Sequence, residues 1–339
     1  MSEAVTHHRL DGLEPDNLLA FLALLGLLRS LEAVDRELPE NKRLYPRACW
    51  EPDDQPLRPT LCVLRPILRG EVAEIAARGL ATLAANHDFG ERNQSDLNYP
   101  RSEARAILNE TACAATVSAR GRADLQASLM SDVVTKEEKN LNTDPMIAPT
   151  PLCLLFGQGH QHFLERLRKV PSQAAPPQRG KGKAAVQLSA EECLSEALFA
   201  SWHRSDPTFS FRWDPDEDVR YALMAGDPAD PTYKYGTQHG ANRLAAVGIA
   251  TFTMVPETRA GRIRPSVLGG SSSRNGFSLA WPIWKEPATL SAIRSMLGHP
   301  DLPKINGLSH LGVDHVLTAK RISVGKFMNF TRARVINGT

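Results

Sequence analysis

The chain has 339 residues, 42% of them hydrophobic and 23% charged, with a formal net charge of +2. That balance is ordinary for a water-soluble protein of about two domains. Five cysteines (Cys49, Cys62, Cys113, Cys153, Cys193) stand far apart with no CxxC pair. This spacing excludes a disulfide framework or a zinc ribbon as the organising device and favours a reducing cytoplasm.

Charge is unevenly spread. Residues 1–140 carry 17 Lys/Arg against 22 Asp/Glu, whereas residues 141–339 carry 23 against 16. The C-terminal half therefore favours an anionic partner.

Thr6–Leu13 reads as a short strand. Pro15–Leu38 predicts a helix opened by Asp16 or Asn17, whose short side-chain oxygen can accept from a free backbone N–H. Leu18–Leu28 holds ten apolar residues and Gly26 with no charge, so other elements must enclose it. It is too short for a bilayer span, which takes about 20 residues. Asp11, Glu14 and Asp16 stand where a signal peptide needs basic residues. No membrane contact is expected.

Prolines punctuate residues 39–70, leaving loop with short extended pieces such as Leu61–Leu64. Helices are predicted over Glu71–His87, over Ser102–Ala119 with Ser102 as cap, and at the start of 121–141. Thr150–Val170 passes from an apolar run through Gly157 and Gly159 into an amphipathic helix. Pro171–Ala185 lacks large apolar residues and predicts a mobile loop. Ser189 with Glu192 is a capping-box pattern opening a helix to about His203.

Phe209–Trp213 alternates like a strand, with Ile249–Val255, Arg262–Leu268 and Phe277–Ile283 as further strands. Gly240–Val247 and residues 288–297 read as helices, and 319–336 as extended chain. The predicted class is α+β, with a helical N-terminal part around a buried apolar helix and a strand-rich, basic C-terminal part. The expected division is a mainly helical domain 1–170, a flexible basic loop 171–188 and an α+β domain 189–339.

Asp214, Asp216, Glu217 and Asp218 offer oxygens to a hard cation. They lack the loop glycine and closing glutamate of an EF-hand, and Arg212 and Arg220 flank them as counter-ions. A solvated turn is the expected reading. His7 and His8 face opposite ways on a strand, and His160 and His162 have no carboxylate at metal-motif spacing. Gly269–Gly270 and Ser271–Ser273 resemble a phosphate nest in composition, but read as a connector. No catalytic residue, metal ligand or cofactor is assigned.

Basic segments carry the functional signal. Residues 258–284 contain Arg259, Arg262, Arg264 and Arg274 and no acid. Residues 315–339 contain Lys320, Arg321, Lys326, Arg332 and Arg334 and no acid, with Phe327 and Phe330 among them. Such a pattern suits a phosphate backbone with occasional base stacking. Arg262 and Arg264 should share one strand face, with Ile263 between them turned into the core. The two segments are expected to adjoin in one positive sheet surface.

Three phrases carry a resemblance. PDNLLAFLALLGLLRSLE resembles the opening of CRISPR-associated proteins of type I-U (I-G) effector modules. FRWDPDEDVRYAL followed by GANRLAAVGIATF is similar to a second segment of such proteins, and FSLAWPIWKEPATLSAIRSML to a third. The resemblance implies a large-subunit-like component of a multi-protein, RNA-guided complex. Together these readings predict a non-catalytic, cytoplasmic subunit of a type I CRISPR interference (Cascade-like) complex. It would contact DNA or guide RNA and other CRISPR-associated subunits. The alternatives are a metal-dependent nuclease using the acidic turn or the histidines, and a purely structural assembly subunit.

Overall fold

The computed structural model describes residues 4–51, 55–114, 120–136, 143–155, 162–176, 178–179, 182, 185–206, 208–217, 237–259, 261–273, 276–324 and 327–336. Asn17 opens the central helix. Its backbone is extended, and its side-chain oxygen accepts from the backbone N–H groups of Leu19 (2.9 Å) and Ala20 (3.3 Å). Helix α1 (Leu18–Glu37) then buries sixteen of its 20 residues. Near its end the buried Asp35 carboxylate accepts from the backbone N–H of Leu44 (2.8 Å) and Tyr45 (2.7 Å). Two donors offset the cost of burying that charge and fix the returning chain.

Helices α2 (Arg69–Ala84) and α7 (His239–Gly248) pack along α1. They approach closely because glycine stands at each crossing. A Cβ on Gly26 would lie 1.9 Å from the Leu244 carbonyl oxygen, and one on Gly248 would lie 2.1 Å from that of Leu22. Helix α6 (Ala190–Phe199) closes against α2 and α7, and α5 (Phe163–Ser172) packs on α7. The predicted capping box opens α6: Glu192 N donates to Ser189 Oγ (3.1 Å), and Ser189 N to the Glu192 carboxylate (2.7 Å). Helices α3 (Arg101–Cys113) and α4 (Arg120–Leu129) pair beside this layer. Pro100 rather than Ser102 precedes α3, and the Ser102 hydroxyl donates to Asp144 instead.

Strands β1 (Val5–Arg9), β2 (Arg47–Trp50) and β3 (Pro59–Ile67) form an antiparallel sheet in the order β1-β3-β2. The C-terminal part forms a second antiparallel sheet from β6 (Gly270–Ser273), β7 (Gly276–Trp284), β8 (Val313–Val324) and β10 (Arg334–Val335). Its order is β10-β8-β7-β6, with β9 (Phe327–Phe330) pairing the far end of β8. Helix α8 (Leu290–Leu297) follows β7 and opens with Thr289 as cap. The α+β class and its polarity, helices first and strands last, are as the sequence predicts. Among the described residues no helix is long and apolar enough to cross a membrane.

One apolar core contains residues from Leu10 to Ala333. Trp281 of β7 stacks on Phe21 of α1 (centroids 5.4 Å, planes 14° apart), and its indole N–H donates to the Pro15 carbonyl (3.0 Å). That core has members on both sides of the expected boundary at 171–188. Within that segment Arg179 is not part of an open loop. It donates to the carboxylates of Asp206 (2.5 Å) and Glu196 (2.8 Å), and its backbone bridges Val186. Residues 177, 180–181 and 183–184 lie outside the described set.

Two expected strands are absent. Ile249–Thr251 forms a 3-10 turn, and Phe252 packs edge-on against Phe21 (6.3 Å). In Phe209–Trp213, Arg212 has φ 63°, a left-handed conformation that breaks an extended run. Phe211 and Trp213 are consequently stacked on each other at 4.4 Å and both buried, where strand alternation would also bring them to one face.

Candidate nucleic-acid interface

Successive side chains of a strand point to opposite faces, and around Ser278 and Lys320 this gives the C-terminal sheet one dry face and one open face. Phe277, Leu279, Trp281 and Ile283 of β7 are buried, as are Leu317 and Ala319 of β8. Of the intervening residues, Ala280, Pro282 and Val316 are buried as well; Ser278 and Thr318 are half-buried and Lys320 is exposed, and these form the open face. There Ser271 pairs Ser278, Ser278 pairs Lys320, and Thr318 pairs both Ala280 and Arg334. Directly opposed residues on an antiparallel pair share a face. Lys320 and Arg334 thus project from neighbouring rows of one surface, and both are exposed. Beside them runs a groove of about 360 Å³, lined by Gly269, Gly270, Ser271, Ser278, Thr318 and His299 among others. Gly269 has φ 72°, and a Cβ there would meet the Ala280 carbonyl oxygen at 2.4 Å, so this turn needs glycine. The Gly/Ser stretch expected as a connector is in part strand β6.

The arginine-rich segment before it forms a separate hairpin, β4 (Glu257–Arg259) and β5 (Arg262–Arg264). Arg259 opposes Arg262, and Glu257 opposes Arg264. The hairpin is tied to the edge strand β6: the Arg259 guanidinium donates to the Ser272 carbonyl, and Ser272 N donates to the Glu257 carboxylate (3.2 Å). Arg259, Arg262 and Arg264 are all exposed. Ile263, expected in the core, is 51% exposed. A two-stranded ribbon without a layer behind it has no buried face, so alternation there does not sort residues inward. The two basic segments therefore meet as sheet and satellite hairpin rather than as one continuous sheet.

Two of the predicted cations are committed to the fold. Arg321 is half-buried, donates to the Pro151 carbonyl (3.0 Å) and lies over the Phe277 ring (5.5 Å). Burial lowers its pKa. Arg332 donates to Asp16 (2.7 Å), Glu14 (2.8 Å) and Asp216 (3.0 Å). These three carboxylates hold its pKa above the usual arginine range despite partial burial. Arg274 and Lys326 lie outside the described residues.

The acidic turn is not the solvated loop expected. Asp214 is buried and receives Asn17 Nδ2 (2.9 Å) and Arg204 Nε (2.6 Å), while Asp216 receives Arg204 (3.1 Å) and Arg332. Arg204 and Arg332 serve it as counter-ions. Glu217 accepts from the Ser210 hydroxyl, and burial raises its pKa to about 7. Asp218, Arg220 and His160 lie outside the described residues. His162 contacts the Asp96 carboxylate at 2.9 Å. Among the described residues no group of three or more His, Cys, Asp or Glu side chains is placed to hold a metal ion.

The chain matches no protein-family model, no curated protein and no solved structure.

Proposed function

We propose that this chain is a non-catalytic, nucleic-acid-binding subunit of a type I CRISPR interference complex, with neighbouring CRISPR-associated subunits as its partners. The family assignment rests on the three sequence segments that resemble type I-U (I-G) proteins. The binding assignment rests on one observation: Lys320 and Arg334 share the open face of the C-terminal sheet with Ser271, Ser278 and Thr318, beside a glycine-lined groove. Lysine and arginine supply charge, and serine hydroxyls with glycine N–H groups supply neutral donors to phosphate oxygens. The hairpin extends that surface with Arg259, Arg262 and Arg264. Such contacts read backbone and shape, leaving sequence to guide pairing.

The test is fluorescence anisotropy with duplex DNA and with RNA over a salt series, on the chain alone and assembled with its partners. Lys320→Ala with Arg334→Ala should weaken binding and lower the salt slope by about 1.8, two phosphate contacts' worth on duplex DNA. Arg262→Ala with Arg264→Ala should lower it by about 1–2. Arg332→Ala, whose guanidinium already serves three carboxylates, should leave the slope unchanged. Wild-type slopes in both double variants would remove the sheet face and favour a structural assembly role.

A further inference from the structure

A second charged region lies away from the sheet face. The C-terminal half of α1, the N-terminal end of α4, the 249–251 turn and the first turn of α8 enclose a cleft of about 440 Å³. Arg29, Arg36, Arg120 and Arg294 line it against only two acids, Glu32 and Asp124. Asp124 is shared three ways: Arg120 Nε donates to it at 3.1 Å, Arg294 Nη1 at 3.3 Å, and Arg29 Nη1 stands 3.8 Å away. One carboxylate cannot neutralise three guanidiniums. Glu32 lies 3.7 Å from Arg36. Burial raises the Glu32 pKa and so weakens its hold on a full charge.

Two further atoms show what the cleft lacks. The Arg29 side chain is 11% exposed, and its Nε is buried with no hydrogen-bond partner. Thr251 is 1% exposed, lines the same cleft, and its Oγ1 is likewise buried without a partner. Leaving such groups unpaired costs about 1–3 kcal/mol each. Both are donors, and both sit among surplus positive charge. The missing partner is an anionic acceptor. Ser291, in the first turn of α8, adds the positive end of a helix to the lining.

We propose that this cleft binds a phosphate dianion, held by Arg29, Arg120, Arg294 and the Thr251 hydroxyl. The surplus of two positive charges matches a dianion. Several guanidinium forks converge as phosphate recognition requires. The volume lies in the range of small-molecule sites, leaving room for an organic group behind the phosphate. A free phosphorylated metabolite and the terminal phosphate of a nucleic-acid strand present the same chemistry. The proposal does not depend on the reading of the sheet face, which uses other residues.

The test is isothermal titration and thermal-shift measurement on the full chain at constant ionic strength. The probes are inorganic phosphate, a nucleoside 5′-monophosphate, and one oligonucleotide carrying either a 5′-phosphate or a 5′-hydroxyl. Inorganic phosphate and the monophosphate should compete for one site. Thr251→Val, which keeps the shape, and Arg120→Gln, which alters a half-exposed side chain, should each weaken them by about tenfold with circular dichroism unchanged. Tighter binding of the 5′-phosphorylated oligonucleotide than of its hydroxyl twin, lost in both variants, would make a strand end the source. Phosphate probes that bind neither more tightly to the wild type than to the two variants, or not at all, would overturn the proposal.

Discussion

Alanine at Gly26 separates two kinds of reasoning about a helix. By intrinsic propensity, replacing a helical glycine with alanine gains about 1 kcal/mol. The structure reverses the sign. The new Cβ would stand 1.9 Å from the Leu244 carbonyl oxygen and 2.5 Å from its carbon, and both are backbone atoms that no rotamer change can move. Helices α1 and α7 would have to part by about 1 Å, in an interior packed as densely as an organic crystal. The reciprocal contact of Gly248 with Leu22 would open with them. Overpacking costs about 1–3 kcal/mol, and a rigid obstacle puts this case at or above the upper end. Net of propensity, Gly26→Ala should destabilise by about 2 kcal/mol, lowering Tm by roughly 3 °C in a chain of this size. Gly70→Ala is the control: it sits in the first turn of α2 with nothing within 4 Å of its Cβ. It should be neutral or slightly stabilising. Urea denaturation followed by circular dichroism measures both. A Gly26→Ala protein as stable as the wild type would refute the reading of α1 and α7 as backbone-to-backbone packed.

Two further outcomes follow from buried charges. Burial lowers the pKa of His239 to about 4 and of His87 to about 3, so each takes up a proton on unfolding once pH falls below about 6.5. Glu217, raised to about 7, is the opposite case: between pH 4.5 and 7 it holds a proton when folded and releases it on unfolding. These three groups therefore give a loss of stability on acidification from pH 6.5 to 4.5 with a slope near one proton, and Glu217→Gln should steepen it to about two. An unchanged slope from pH-dependent urea titrations would show that Glu217 is ionised in the fold. Arg179→Met should cost about 3 kcal/mol by stranding the fully buried Asp206 carboxylate, which would keep only the His239 N–H at 2.9 Å. Adding Asp206→Asn should recover part of that loss in chemical denaturation, and simple additivity would dissociate the pair.

Local signals in the sequence translated well where one element decides its own shape. The cap at Asn17 and the Ser189–Glu192 box each involve neighbours a few residues apart. Where a distant partner decides, the sequence misled. Ile263 alternates correctly, but among the described residues it stays half exposed on its hairpin. Phe252 sits in a β-branched run, but the aromatic cluster around Phe21 sets its backbone. The acidic turn looked solvated because its counter-ions, Arg204 and Arg332, are remote or obscured by basic neighbours. Arg332 itself read as a phosphate ligand because Glu14 and Asp16 lie at the other end of the sequence. The arginine cleft was illegible for the same reason: Arg29, Arg120 and Arg294 belong to three helices, and only packing brings them to one carboxylate.

The start of α1 is finished by residues made long after it in synthesis. Asp214 braces the capping Asn17, Trp281 takes the Pro15 carbonyl, and Ala333 N donates to the Asp16 carbonyl at 2.8 Å. A ribosome adding about 5–20 residues per second needs roughly 15–60 s to pass from Leu28 to Ala333. Throughout that interval this apolar helix lacks its final cover. Chaperone occupancy of the nascent chain should therefore centre on Leu18–Leu28 and end only when β7 and β8 have emerged.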